Sequence, residues 1–176
     1  MTARVVVWLT EGTWEAAVDA TAATLHSDIR PAIATEMQGS DVALLYVVDS
    51  QISDAVHGAF GGLLGRAARR RDPGVQVEQM AHQASTELLQ AAQRRLGRPA
   101  SLVVRTGRVE REVVDACAGA DLLICARDGD HTRLGPHSLG RHTRFVIDHA
   151  PCAVLLIWPD AVPGLESIPP PPEHPA

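Results

Sequence analysis

The sequence contains no lysine, and all sixteen basic residues are arginine. This absence excludes a lysine Schiff base and the lysine of a P-loop phosphate site. Aromatic residues make up only 3% of the chain, and the three cysteines show no C-x-x-C spacing. That spacing would be needed for a thioredoxin-type redox motif or a zinc ribbon. With a net charge of −5, the composition also argues against a general nucleic-acid binder, which needs concentrated basic residues.

No long apolar segment is present, and Met1-Thr2-Ala3-Arg4 leads directly into a strand pattern. We therefore expect a cytoplasmic protein without a membrane anchor. The three cysteines fall in predicted helix and strand positions and are interpreted as buried free thiols. The histidines near the end of the chain have no established ligand spacing, so we predict no metal site and interpret them as surface or loop residues: His131, His137, His142 and His149.

Apolar runs alternate with amphipathic stretches along most of the chain. Such runs predict strands at 4–9, 42–48, 101–105, 121–126 and 152–158, and spacings of three and four predict helices at 14–25, 77–96, 109–117 and 141–148. Because the strand runs lack apolar–polar alternation, both faces of the sheet are expected to be covered. The prediction is an α/β fold with an open five-stranded parallel sheet and helices on both faces, Rossmann-like.

Two stretches fall outside this alternation. Residues 161–176 form a proline-rich C-terminal tail that we expect to be disordered, leaving one domain over residues 1–160. The region from Gly58 to Arg71 mixes glycines with an arginine run. We interpret it as a surface excursion with a solvated charged face. A mobile lid or a basic patch that contacts a partner is the alternative.

A glycine-containing loop follows the fourth strand and runs from Arg127 to Gly140. Such a loop can present backbone N–H groups to an anion, and the helix that begins near Arg141 favours negative charge at its start. In open parallel sheets, ligands bind beyond the carboxyl ends of the strands, where the strand order reverses. The predicted ligand site therefore lies between this loop and Thr10 to Thr13, which follow the first strand.

Three stretches of sequence resemble the universal stress protein family. They are GRVEREVV at 107–114, ADLLI at 120–124 and GRHTRFVIDHAPCAVL at 140–155, and the likeness extends over about residues 4 to 158. The resemblance implies a strand order of 3-2-1-4-5 and a homodimer that meets through the last strand, Ala153 to Trp158. It also implies an adenine nucleotide, ATP or AMP, with or without Mg²⁺. An acidic residue after the first strand and the pattern G-x2-G-x9-G-[ST] after the fourth would hold it.

Carried onto this chain, the acidic residue is Glu11 and the last glycine is Gly140. Arg127 and Asp130 stand where the first two glycines are expected, a shift of one residue recovers Gly129, and Arg141 replaces the serine or threonine. Thr143, two residues after Arg141, could supply the hydroxyl instead. The residues that the resemblance assigns to the nucleotide are Thr10, Glu11, Gly12, Thr13, Val47, Ala126, Arg127, Gly129, Gly140, Arg141, His142 and Thr143.

The charges in this loop leave two answers open. Asp128 and Asp130 would repel a polyphosphate at close range, whereas Arg127, Arg133 and Arg141 could offset that repulsion. Glu11 could contact adenosine or could simply stabilise the start of the first helix.

Three functions are consistent with these residues. The first is a dimeric binding and signalling protein that takes an adenine nucleotide. The second is a nucleotide-independent dimer that acts through protein partners, and the third is a slow ATP hydrolase. Convergence of the loop arginines and glycines on one cleft with Glu11 and Val47 would favour the first function. Asp128 or Pro136 inside that cleft would favour the second.

Overall fold

The computed structural model describes residues 2–25, 39–51, 73–168 and 170, with only the backbone of residues 73–78. The strands are β1 (Arg4–Trp8), β2 (Asp41–Asp49), β3 (Ser101–Gly107), β4 (Leu122–Ala126) and β5 (Ala153–Ile157). Four α-helices lie wholly within the described residues: α1 (Trp14–Leu25), α2 (Pro73–Leu96), α3 (Val109–Ala116) and α4 (Arg141–His149). The region from Gly58 to Arg71 lies outside the described residues.

All five strands are parallel, in the order β3-β2-β1-β4-β5. This confirms the predicted sheet and its strand order. The order reverses between β1 and β4, because the chain first builds outward through β2 and β3 and then returns to the other side of β1. The carboxyl ends of all the strands therefore lie along one edge, where a ligand site is expected.

The central strand β1 shows why its sequence is apolar without alternation. Val5, Val6 and Val7 are all buried, and successive side chains enter opposite cores. One core lies under α1 and α2 and includes Val18 and Leu89. The other lies under α3 and α4 and includes Val113 and Val146. Helices therefore cover both faces, as predicted, and burial of each valine contributes roughly 1.5–3 kcal/mol.

The ends of the elements differ slightly from the predicted bounds. Helix α2 begins at Pro73, four residues before the predicted start, because proline is well suited to the first turn of a helix. Strand β3 extends to Gly107, two residues past its predicted end, and pairs there with Asp49. None of the helices in the described ranges combines the length and the hydropathy needed to cross a bilayer.

The C-terminal tail is described only in part. Leu165–Ser167 forms a 3-10 turn, and the Ser167 hydroxyl oxygen accepts a hydrogen bond at 3.0 Å from the backbone N–H of Leu134. This contact attaches the start of the tail to the loop after β4. Residues 171–176 lie outside the described residues, so disorder of the tail's end stays a prediction.

Candidate functional site

A cleft of about 560 Å³ opens at the carboxyl ends of β1, β2 and β3. Helix α2 closes one side with Ala81 and Ala84, and the segments after β4 close the other. Most of the lining is apolar, with polar groups at the rim, as is typical of small-molecule sites. The lining residues are Trp8, Leu9, Thr10, Glu11, Tyr46, Val47, Val48, Asp49, Ala81, Ala84, Thr106, Val109, Asp128 and His142.

The turn between β1 and α1 holds Glu11 at the mouth of the cleft. Gly12 adopts a φ of +79°, a conformation that glycine enters without steric cost. The hydroxyl oxygens of Thr10 and Thr13 lie 2.7 Å apart in a hydrogen bond, and the Thr13 N–H donates to the Thr10 carbonyl at 3.3 Å. Hydrogen bonds between its own threonines therefore hold the turn together, and the Glu11 side chain remains exposed.

Glu11 makes one hydrogen bond across the cleft. The hydroxyl of Tyr46 on β2 donates to Glu11 Oε1 at 3.1 Å. Burial of the phenol, the nearby charge of Glu11 and this hydrogen bond together raise the pKa of Tyr46 to about 12. Tyr46 therefore stays protonated at neutral pH and acts as a donor, which orients the carboxylate.

His142 forms another part of the cleft wall and is hydrogen bonded to Glu110. His142 Nδ1 lies 2.7 Å from Glu110 Oε2, and Arg141 Nε donates to His142 Nε2 at 3.1 Å. Since Nε2 accepts, the proton lies on Nδ1 and is donated to the carboxylate. Burial raises the pKa of Glu110, but hydrogen bonds from its own backbone N–H, His142 and Arg108 outweigh that effect and hold the pKa below its usual value. The imidazole is thus fixed in one orientation.

The loop after β4 pairs its backbone with itself. The N–H of Gly129 donates to the Ser138 carbonyl at 3.0 Å, and the N–H of Asp130 donates to the His137 carbonyl at 2.8 Å. The two sides of the loop are so close at Gly129 that an added Cβ would overlap the His137 carbonyl oxygen. Two N–H groups that a phosphate loop would offer are therefore already paired within the protein.

Asp128 lies at the start of α4 and also lines the cleft. Its Oδ1 accepts a hydrogen bond at 2.7 Å from the N–H of Gly140, the residue that precedes the helix. A Cβ at Gly140 would come within 2.7 Å of Asp128 Oδ2, so the carboxylate fits only because Gly140 has no side chain. The negative charge that a helix start favours is thus supplied by Asp128.

Arg127 is held away from the cleft, although it occupies a predicted phosphate position. Its guanidinium carbon lies 4.5 Å from the centre of the Trp158 ring, and one terminal nitrogen hydrogen bonds to the Ser138 hydroxyl. Its Nε is buried without a hydrogen-bond partner in the described part of the chain. Arg127 therefore joins the loop to the end of β5, where a cation–π contact stabilises it.

The structure places the predicted site residues in two groups. Thr10, Glu11, Val47 and His142 line the cleft, and Gly12 and Thr13 complete the turn that carries Glu11. The second group does not line it: Ala126, Arg127, Gly129, Gly140, Arg141 and Thr143. Thr143 is buried, and its hydroxyl has no hydrogen-bond partner among the described residues. The arginines and glycines of the loop thus do not converge on Glu11, whereas Asp128 does enter the cleft.

Sequence reasoning missed Tyr46, Asp49 and Glu110. Tyr46 directly precedes Val47 at the end of β2, so its position beside a predicted site residue was a usable signal. Glu110 is buried on α3, and its partner His142 lies 32 positions away in the sequence. Within residues 2–25, 39–51 and 73–168, no group of three or more His, Cys, Asp or Glu side chains is arranged to hold a metal ion.

The family model described as Universal stress protein family matches residues 15–157. The chain belongs to this family. Its fold is also that of solved universal stress proteins, including UspA from Lactobacillus plantarum, at 20% identity and a TM-score of 0.55 over 88% of this chain and 97% of that one. A search of curated proteins finds no match.

Two solved structures of similar fold are described with a bound nucleotide. One is a universal stress protein in complex with cAMP, at 14% identity and a TM-score of 0.53, covering 90% of this chain and 98% of that one. The other is a universal stress protein family protein from Arabidopsis thaliana with AMP bound, at 16% identity and a TM-score of 0.52, covering 95% of each chain. At these identities the likeness establishes a shared fold.

Proposed function

We propose that this universal stress protein binds an adenine nucleotide through its adenosine half, in the cleft at the carboxyl ends of β1, β2 and β3. The observation that carries the proposal is the Glu11 carboxylate, which Tyr46 orients at 3.1 Å across the mouth of an otherwise largely apolar cleft. A carboxylate accepts hydrogen bonds from hydroxyl or amino groups, and adenosine offers both.

The shape and composition of the cleft support the same ligand. Its volume of about 560 Å³ lies within the usual range of small-molecule sites, roughly 300–1,000 Å³. The walls of valine, leucine, alanine and tryptophan suit a flat purine. Structures of similar fold hold AMP and cAMP, both of which contain adenosine.

The direct test is calorimetric titration of the protein with AMP, compared with a Glu11→Gln variant. We expect saturable binding in the parent protein and at least ~10-fold weaker binding in the variant, since the amide presents one acceptor and no charge. Glu15→Gln is the matched control, because Glu15 lies in the first turn of α1 and does not line the cleft.

Equal loss in both variants would trace the effect to charge near α1 and would contradict a contact with Glu11. Failure of both AMP and adenosine to bind the folded protein at millimolar concentration would retire the proposed function. It would favour the nucleotide-independent alternative, which the entry of Asp128 into the cleft supports. A cytoplasmic location stays a prediction.

We also propose a homodimer that forms through the last strand, Ala153 to Trp158. Strand β5 is at the edge of the sheet and pairs with β4 in the described part of the chain. Its apolar side chains from Val154 to Ile157 are only half buried. An apolar edge strand of this kind invites pairing with another strand, and a second copy provides one by symmetry.

Sedimentation of an Ala153→Asp variant tests this dimer. Ala153 is exposed in the single chain, so the change leaves the monomer intact but brings two like charges together across a two-fold axis. We expect a shift toward monomer that the same substitution at exposed Ala161 does not cause. A parent protein that sediments as a monomer would end the proposal.

A further inference from the structure

We propose that Asp128 makes the cleft selective against polyphosphates, so that the preferred ligand is an adenine nucleoside whose 5′ group is neutral or cationic. The inference rests on the proposed function, because it concerns the same cleft. It departs from the nucleotide pattern that the family resemblance implied, since the residues of this chain fit the adenosine half and do not fit a triphosphate.

Three backbone donors near the start of α4 are already paired. A phosphate loop binds its ligand through free backbone N–H groups near a helix start. Here the N–H groups of Gly129 and Asp130 donate to carbonyls of the same loop, and the N–H of Gly140 donates to Asp128. A polyphosphate would have to break these three hydrogen bonds before it could form its own.

The described lining of the cleft carries several acidic side chains. Three carboxylates line the cleft, those of Glu11, Asp49 and Asp128, and no arginine belongs to the described lining. Of the described arginines in this region, Arg127 lies over Trp158, Arg108 pairs with Glu110 and Arg141 donates to the cleft-lining His142. A triphosphate would therefore face carboxylates with no arginine among the described wall residues, whereas a cationic 5′ group would be attracted.

The carboxylate of Asp128 is held firmly in position. The 2.7 Å hydrogen bond from Gly140 binds one carboxylate oxygen, and the missing side chain of Gly140 leaves space for the other. Helix α4 then stabilises the charge through its positive end. Since an incoming phosphate would compete for this same position, Asp128 is a specificity-determining residue and not merely a nearby acid.

The test compares four ligands on the folded full-length chain by calorimetry: adenosine, 5′-amino-5′-deoxyadenosine, AMP, and ATP with and without Mg²⁺. We expect affinity to fall from the amino derivative through adenosine and AMP to ATP, with ATP at least ~10-fold weaker than adenosine. Higher salt should strengthen ATP binding, because it screens repulsion, and should leave adenosine binding unchanged.

Asp128→Asn isolates the charge, because an amide oxygen can still accept from Gly140. We expect the variant to bind ATP roughly 10-fold more tightly and adenosine within about twofold of the parent. Asp130→Asn is the matched control, since Asp130 belongs to the same loop but pairs with Thr132 and Arg133 outside the cleft. It should change neither affinity by more than about twofold.

The outcomes separate this inference from the proposed function. If ATP binds the parent protein at least as tightly as adenosine, and Asp128→Asn leaves the ratio unchanged, the selectivity is overturned while the adenosine site stands. If none of the four ligands binds, the proposed function fails and the selectivity fails with it. Circular dichroism of each variant verifies that the fold is intact.

Discussion

The two turns that flank the cleft use their glycines in different ways. The turn from Thr10 to Thr13 is open, with Gly12 at positive φ and no atom of the described residues within 4 Å of an added Cβ. The loop from Arg127 to Gly140 is closed, and both Gly129 and Gly140 lie against neighbouring atoms. The first glycine provides a backbone conformation and the others provide space. Glycine spacing alone does not distinguish these uses.

The same contrast applies to the carboxylates of the two turns. Glu11 is exposed and makes its hydrogen bond to a side chain on another strand, so a ligand can share it. Asp128 is bound to a backbone N–H of its own loop, at a helix start. The Glu11 carboxylate is available to a ligand, whereas the Asp128 carboxylate occupies the position at the helix start that an anionic ligand would take.

Substitution of the glycines should produce the largest effect. Gly129→Ala introduces a Cβ that overlaps the backbone at His137 and Ser138, so the two sides of the loop must separate. We expect a loss of about 2–3 kcal/mol in the free energy of unfolding, measured by urea denaturation. Gly12→Ala meets no atom but strains a φ of +79°, for an expected loss of about 1 kcal/mol.

Asparagine at the same two positions distinguishes the need for a backbone conformation from the need for space. Gly12→Asn should recover part of the loss at position 12, because asparagine tolerates positive φ. Gly129→Asn should recover nothing, since any side chain there meets the backbone. Equal losses at the two positions would contradict the distinction between an open turn and a closed loop.

Removal of the two carboxylates should lower the free energy of unfolding by different amounts, both smaller than the loss expected for Gly129→Ala. Asp128→Ala removes a charged acceptor from the start of α4 and leaves the Gly140 N–H without its partner, so we expect a loss of about 1–2 kcal/mol. Glu11→Ala removes an exposed acceptor, and we expect a loss below about 0.5 kcal/mol. Chemical denaturation of both variants at neutral pH measures the difference. A reversed order would show that Asp128 does not stabilise the helix.

The fold was predictable because its signals are local. Val5 to Val7 place apolar side chains on both faces of β1, and the apolar residues of α1 recur at spacings of three and four. Both patterns can be recognised without knowledge of distant residues. The site depends on contacts between distant positions: Glu11 and Tyr46 are 35 positions apart in the sequence, and Glu110 and His142 are 32 positions apart. The sequence showed acids and glycines in the loop after β4, but only tertiary geometry shows that the carboxylate of Asp128 occupies the helix start.

The smallest expected effect is a change in the pKa of Tyr46. Its hydroxyl is hydrogen bonded to Glu11, and because it is the only tyrosine in the chain its absorbance can be assigned without ambiguity. Absorbance at high pH should show its pKa raised to about 12 in the folded protein, and Glu11→Gln should lower that value while leaving it above 10.0, since burial is the largest cause of the shift. Between these pH values the unfolded chain loses a proton that the folded chain keeps, so the contribution of Tyr46 to stability is present below pH 10 and is lost as the pH rises toward 12. Circular dichroism at each pH verifies folding. Ionisation of folded parent protein near pH 10 would mean that the phenol is neither buried nor joined to Glu11, and that the turn after β1 does not present its acid as the structure shows.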